Sequence, residues 1–377
     1  MTKLYILLAV SIGLAWLYDH SFIQTLRGPK RPWFIYTTLV IILICFSGFR
    51  GSYNDTWNYR DIYRVLAKGF PEAWETLSWE WGENPFFNII QAWFKTYDVD
   101  VHLFLMFFSF WTVLLYVNFI KKYSCNLVFS IFLFFTMGCY VFTLAAIKQC
   151  MATAICLFAL PYAVDKKWGR FYLLILLASF FHPYALMYAA VPLFFYRPWS
   201  RNTYILLALI IMGGYLLQPL LGTLVDLTAA IGEEYTESTF SREGINAYRV
   251  LVYWMPVVIS FIFRKELYAS TTREERLLTN LMMVNAGITF VGIFGTALYF
   301  ARLANYFNMM AVVVIPWMMQ KIKGRNKTIM ALAMIVCYLA YFWFLYTIEN
   351  NFATAYEALS LGDFLKILFD AFKGGAA

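Results

Sequence analysis

The chain alternates long apolar runs with short polar clusters from end to end. The runs fall at about 3–18, 33–48, 101–119, 125–143, 147–164, 169–181, 183–196, 203–218, 248–263, 278–297, 300–319 and 328–346. This predicts an all-α, polytopic membrane protein with about twelve membrane segments. Several runs are shorter than the ~20 residues that span a bilayer. The sixth and seventh form a tight hairpin around "FFHPYAL", where Pro183 favours a break after His182. Two half-length helices dipping into a cavity are expected there. The first run is not followed by a small-residue cleavage site, so it reads as a retained helix.

Basic residues set the orientation. The clusters Arg27/Lys30/Arg31, Lys121/Lys122, Lys166/Lys167/Arg170, Arg197/Arg201, Arg264/Lys265/Arg273/Arg276 and Lys321/Lys323/Arg325/Lys327 fall on one side of this arrangement. They hold 18 of the 30 basic residues but only five of the 22 acids, which assigns that side to the cytoplasm. Both termini and two larger loops, 49–100 and 219–247, are then expected outside. A single membrane domain covers 1–377, and 355–373 forms an amphipathic C-terminal helix with apolar Leu361, Leu365, Leu368 and Phe372. Within the first outer loop, "WETLSWEWGENPFFNIIQAWF" (74–94) alternates aromatics with acids and is expected to lie along the interface as short helices.

Composition agrees: 62% of the 377 residues are hydrophobic and 14% charged, where a soluble domain carries about 25% charged residues. The net charge of +8 arises from the cytoplasmic clusters, which argues against nucleic acid as a partner. The six cysteines lie in or beside apolar runs without a CxxC pair and read as reduced thiols. Nucleotide-binding glycine motifs and metal-ligand spacings are absent, so neither a cofactor nor a metal is expected.

The outer side is the unusual one. Directly after the second run comes "GFRGSYNDTWNYRDIYR" (48–64), with three arginines, two aspartates, three tyrosines and a tryptophan. Arg50, Lys148, Arg249 and Arg302 all sit where a loop meets a helix on this side. Cations at that depth are expensive and mark functional candidates, with snorkelling or internal ion pairing as the competing account. Arginine forks bind phosphates, and aromatic faces with Asp, Glu or Asn edges hold sugars. Together they suit a lipid-linked sugar diphosphate; the competing account is an ordinary aromatic belt. Of three histidines, His182 alone stands at the apex of the predicted hairpin, where a neutral imidazole can take a proton from a hydroxyl or simply satisfy a backbone carbonyl.

Five pieces of the chain resemble the EpsG family, which groups with Wzy-type polymerases of bacterial surface polysaccharides. "FRGSYNDTWNYRDIY" is similar to an FR…GTDY-x-x-Y-x-x-x-Y pattern, with Asp55, Tyr59 and Tyr63 at the family's relative spacing. "ENPFFNIIQ" resembles E-P-x-F-x-x-x-N, and "AAIKQCMATAICLFAL" an R-Q-x-x-A-x-A-I helix start. "RFYLLILLASFFHPYALM" resembles K-F-x-x-x-x-L-x-A-x-x-F-H-x-S-A-L, and "ARLANYF" an R-[IL]-x-x-Y-F helix start. The chain departs from these patterns at Tyr53-Asn54, which replaces Gly-Thr, at Lys148, which replaces arginine, and at Tyr184, which replaces serine.

The resemblance implies a GT-C-like polymerase in the bacterial cytoplasmic (inner) membrane, with its site facing the periplasm or outside. It would join undecaprenyl-diphosphate-linked oligosaccharide repeat units for an O-antigen, capsule or exopolysaccharide. A chain-length regulator is a candidate partner. Arg50, Lys148, Arg249 and Arg302 are then candidates for diphosphate contact, and Asp55, Glu83 and His182 for acid–base or sugar-orienting work. Tyr59, Tyr63 and Trp57 are candidates for sugar contact. Two other functions use similar chemistry: a flippase or transporter of the same lipid-linked sugar, and a glycan O-acetyltransferase. A flippase needs charges deep in the cytoplasmic halves of several helices, and almost none are present. An acetyltransferase needs a route for an acyl donor.

Overall fold

The computed structural model of the chain describes residues 1–377 apart from 26–27, 76–77, 217–219, 231–243 and 375–377. Arg27 and, of the loop predicted at 219–247, residues 219 and 231–243 therefore lie outside the described residues. The remainder is predominantly helical. Helix α1 spans Thr2–His20, α2 Trp33–Gly48, α3 Thr56–Val65, α4 Pro85–Thr96 and α5 Val101–Tyr123. Then follow α6 (Leu127–Thr136), α7 (Cys139–Ala145), α8 (Ile147–Val164) and α9 (Trp168–Ser179). Beyond a 3-10 segment, Pro183–Phe194, come α10 (Arg201–Leu216), α11 (Leu221–Ala230), α12 (Ala247–Ile262) and α13 (Arg273–Val291). The chain ends with α14 (Ala297–Asn305), α15 (Asn308–Lys321), α16 (Gly324–Trp343) with a π-helical extension Phe344–Glu349, and α17 (Leu361–Gly374).

This is an all-α membrane protein. Among the described residues, Thr2–His20, Val101–Tyr123, Ile147–Val164 and Gly324–Glu349 are long and apolar enough to cross a bilayer alone. The pairs α6/α7 and α14/α15, bent by 49° and 53°, raise the number to six if each is one span. Trp33–Gly48, Trp168–Ser179, Pro183–Phe194, Arg201–Leu216 and Ala247–Ile262 are shorter apolar helices. The apolar pattern read as twelve segments thus resolves into fewer full-length helices, two bent pairs and several short ones.

Helices α8 and α15 form the centre. Almost every residue of α15 from Asn308 to Met319 is buried. Helix α5 packs against α2 and α8, α9 against α8, and α13 against α15. Local signals place several ends. Asp100 accepts from the His102 amide at the start of α5, and Thr272 with Glu275 forms a capping box on α13. Gly138 bends α6 into α7 with φ +81°, and a Cβ there would lie 3.0 Å from the Tyr346 hydroxyl. Glycine suits both demands.

Buried polar groups fasten the short pieces. Asn280 on α13 donates to the carbonyls of Phe194 and Tyr196 (both 2.8 Å), closing the end of the 3-10 segment. Two small antiparallel pairings tie the ends of the bundle. Strand β1 (Ile23–Thr25) pairs with β2 (Gly28–Lys30), and β3 (Arg50–Ser52) with β4 (Glu357–Ala358). The β3–β4 pairing, with the Tyr356 hydroxyl on the Phe46 carbonyl at 2.8 Å, brings the C-terminal segment onto the loop that carries Asp55.

Candidate active site

The breaks in the helices all open onto one place. The β3–α3 loop, the start of α4, the α6/α7 bend, the start of α8, the His182 turn, the start of α12, the α14/α15 break and the end of the π-helical turn surround a cavity of about 790 Å³. That lies in the upper part of the ~300–1,000 Å³ range typical of small-molecule sites. Asp55, Tyr59, Glu83, Lys148, His182, Arg249 and Arg302 all line it. Residues from six separate stretches of sequence, read as candidates independently, therefore share one chamber.

The α14/α15 break carries the centre of this arrangement. Asn305 Oδ1 accepts from Arg249 Nη2 at 2.7 Å and from Asn308 Nδ2 at 2.6 Å. Asn308 Oδ1 in turn accepts from Asn285 Nδ2, which also donates to the Ala304 carbonyl at 2.9 Å. Three asparagines thus fix the bend and hold Arg249 against it. Gln149 Nε2 donates to the Arg302 carbonyl at 2.5 Å, which locks the turn bearing that arginine to the start of α8. Lys148, one residue earlier, holds its ammonium 4.8 Å from the Phe87 ring centroid.

The ENPFFN stretch closes the His182 side. Trp81 Nε1 donates to Ser179 Oγ at 3.3 Å, the Phe86 amide to the Phe180 carbonyl at 3.2 Å, and Phe86 packs on Phe180 and Phe181. His182 is 8% exposed, and its Nδ1 lies 3.0 Å from the Tyr306 hydroxyl. Burial, reinforced by Arg302 and then Lys148, pushes the imidazole down to about 3. It is neutral at physiological pH. Asp55 is accessible, but it opens to a chamber walled by protein. Burial lifts its carboxyl above the ordinary value, and Arg302 opposes the rise.

Three predicted residues stand apart. Arg50 does not line the cavity and is 1% exposed. Its Nη1 donates to the Ser47 carbonyl (2.5 Å) and Ser109 Oγ (2.7 Å), and its Nε to Thr56 Oγ1 (3.2 Å). Thr56 itself donates to the Leu144 carbonyl at 3.2 Å. Arg50 is a strut that holds the Asp55 loop on α5 and α7. Tyr63, one turn beyond Tyr59, is buried outside the chamber; its hydroxyl donates to the Val99 carbonyl at 2.7 Å, and Lys95 lies over its ring. Trp57 is 60% exposed and faces away from the lining.

The EpsG family model matches residues 33–358. The chain belongs to the EpsG family. No curated protein and no solved structure matches it significantly. The family match encloses every residue that lines the chamber, so the site lies wholly within the EpsG portion of the chain.

Some lining residues escape a sequence reading. Glu349 ends the π-helical turn, lines the chamber, and its charge acts on Arg249. Its signal was present: an acid directly after the last apolar run, on the side that already held the excess of acids. Asn305 and Asn308 flank the Tyr-Phe of "ARLANYF" but look like ordinary helix residues until the break between them is known.

Proposed function

We propose that this EpsG-family protein is a polysaccharide polymerase that joins lipid-diphosphate-linked oligosaccharide repeats. The observation that carries this reading is the single chamber in which Arg302, Lys148 and Arg249 meet Asp55, Glu83 and Glu349 among tyrosines and asparagines. Cations meet a diphosphate, acids and amides meet sugar hydroxyls, and the apolar helices outside meet a polyprenyl tail. The undecaprenyl carrier, the outer-face site in the bacterial cytoplasmic membrane and a GT-C-like arrangement belong to the same proposal.

The chemistry follows from the placement. A hydroxyl of the acceptor sugar attacks the anomeric carbon of the donor glycan. Its proton passes to a carboxylate, for which Asp55 beside Arg302 is best placed. The new C–O glycosidic bond forms as the anomeric carbon–oxygen bond to diphosphate breaks, and the diphosphate leaves with the electron pair. Arg302 and Lys148 stabilise the charge that develops on it in a site already organised to receive it. Glu83 and Tyr59 orient the sugars.

Two measurements test the reading. A bacterial strain lacking the protein should make no long polymer and should accumulate single repeats on lipid at the outer face. Purified protein given lipid-linked repeats should extend them. Repeats trapped at the inner face would identify a flippase instead, and long chains lacking only acetyl groups an acetyltransferase.

A further inference from the structure

Tyr306 is the one tyrosine of the α14/α15 break, and it reaches away from the chamber that Arg302, Asn305 and Asn308 line. It is fully buried. Its carbonyl accepts from the Tyr188 hydroxyl at 2.6 Å, and Tyr188 stacks on Phe307 with ring centroids 5.1 Å apart. The phenol is thus held rigidly against the His182 turn, 124 residues away in sequence. Its hydroxyl has one hydrogen-bond partner among the described residues, His182 Nδ1.

That contact decides where the imidazole carries its proton. A phenol is neutral at physiological pH and owns one proton to donate. In this buried position the available acceptor is Nδ1. Were Nδ1 protonated, its N–H would donate to the phenol oxygen, and the phenol proton would be buried without an acceptor among the described residues. The same conflict arises for the imidazolium, which also sits beside Arg302 and Lys148. The arrangement that satisfies both groups has the phenol donating to Nδ1, and a neutral ring then bears its proton on Nε2.

We infer that Tyr306 is a positioning residue that holds His182 as the Nε2–H tautomer, so that His182 serves as a hydrogen-bond donor to a substrate oxygen and not as the general base. The ring's second nitrogen is the one left to the chamber that His182 lines. With a hydrogen on it, it has no lone pair to accept the acceptor hydroxyl's proton. It does have an N–H to offer an oxygen of the departing diphosphate, next to Arg302 and Lys148. The proton must go to a carboxylate. The substrate named here rests on the polymerase reading, whereas the tautomer does not.

The test reads both. Protein labelled with ¹⁵N-histidine is placed in lipid nanodiscs near pH 7, and the ring nitrogens are recorded. Only His20, His102 and His182 contribute, and His182→Ala assigns the third signal. The expected spectrum has a protonated Nε2 and an unprotonated, hydrogen-bonded Nδ1, and Tyr306→Phe should mix the tautomers. A protonated Nδ1 in the wild type overturns the inference. Chain extension then separates donor from base. Glutamine keeps an N–H near the Nε2 position but cannot act as a base. His182→Gln should stay within about 10-fold of wild type while His182→Ala loses about 100-fold or more, a span typical of a true acid–base or donor group. Tyr306→Phe should lose about 10-fold in kcat with little change in KM. Glutamine no better than alanine overturns the donor role. An Nε2–H spectrum from a protein that extends no repeats leaves the tautomer standing and removes the polymerase reading.

Discussion

Arg50 and Arg302 look alike in sequence, since each is a lone arginine where an apolar helix meets the same end of the bundle. Their surroundings make them opposites. The Arg50 guanidinium is consumed by Ser47, Thr56 and Ser109, and burial draws it down to about 10. Arg302 lines the chamber, and Gln149 Nε2 holds its carbonyl. One arginine gives its donors to the fold outside the chamber; the other borders a space large enough for a ligand. Depth in a membrane protein therefore flags a cation without assigning its work, and the hydrogen-bond partners decide.

The sharpest test of this contrast removes each side chain. Arg302→Ala should reduce chain extension by about 1,000-fold with normal protein level and melting temperature, as loss of a charge-stabilising donor does. Arg302→Lys should recover part of it, because the charge returns without the fork. Arg50→Ala should instead remove the donor that the Ser47 carbonyl, Thr56 and Ser109 share and lower stability by about 2–4 kcal/mol, read as a fall in melting temperature in detergent. Normal stability for Arg50→Ala together with unfolding of Arg302→Ala would reverse the two assignments.

The same contrast shows what was legible beforehand. Apolar periodicity is a property of neighbours along the chain, so membrane character, the His182 turn and the helix start at Lys148 could be read directly, whereas Arg302, read as a helix start, stands in the last turn of α14. Pro183 announces its break, and the 3-10 segment begins there. The α14/α15 break has no proline at the bend. It is held by Asn285, Asn305, Asn308 and Arg249, three of them far apart in sequence, so a continuous segment at 300–319 was the natural reading. Arg50 and Tyr63 lie outside the chamber for the same reason: their partners, Ser109 and Val99, are supplied by α5 and the turn before it. Such closure depends on tertiary contacts that no local pattern encodes.

Asp55 and Glu349 extend the comparison to two acids of the chamber, one acting with Arg302 and the other with Arg249. Asp55→Asn should cost about 100-fold or more in chain extension if it takes the proton. Its raised value fixes the direction of the pH effect. The carboxylate is the working form, so activity should fall as pH drops through a point above the ordinary carboxylate value, and that limb should vanish in Asp55→Asn. Because folding favours the protonated form, neutralising Asp55 should not lower the melting temperature near pH 7. Glu349 acts on Arg249, so Glu349→Gln should lose only about 10-fold, mainly through KM. A larger loss for Glu349→Gln than for Asp55→Asn would move the base to Glu349.

The smallest effect belongs to the pair Tyr59 and Tyr63, four residues apart on α3. Tyr59 lines the chamber, whereas Tyr63 turns into the core and spends its hydroxyl on the Val99 carbonyl. Removing a hydroxyl should therefore act on different quantities. Tyr63→Phe leaves the ring, its packing on Phe104 and the Lys95 contact in place, and deletes one hydrogen bond. Stability should fall by about 1 kcal/mol with chain extension unchanged. Tyr59→Phe should leave stability nearly unchanged and raise KM about 3-fold to 10-fold, the loss of one sugar-orienting contact. If Tyr63→Phe raises KM while the melting temperature stays put, the chamber extends past Val99, and the division between strut and site drawn from Arg50 and Arg302 does not hold along α3.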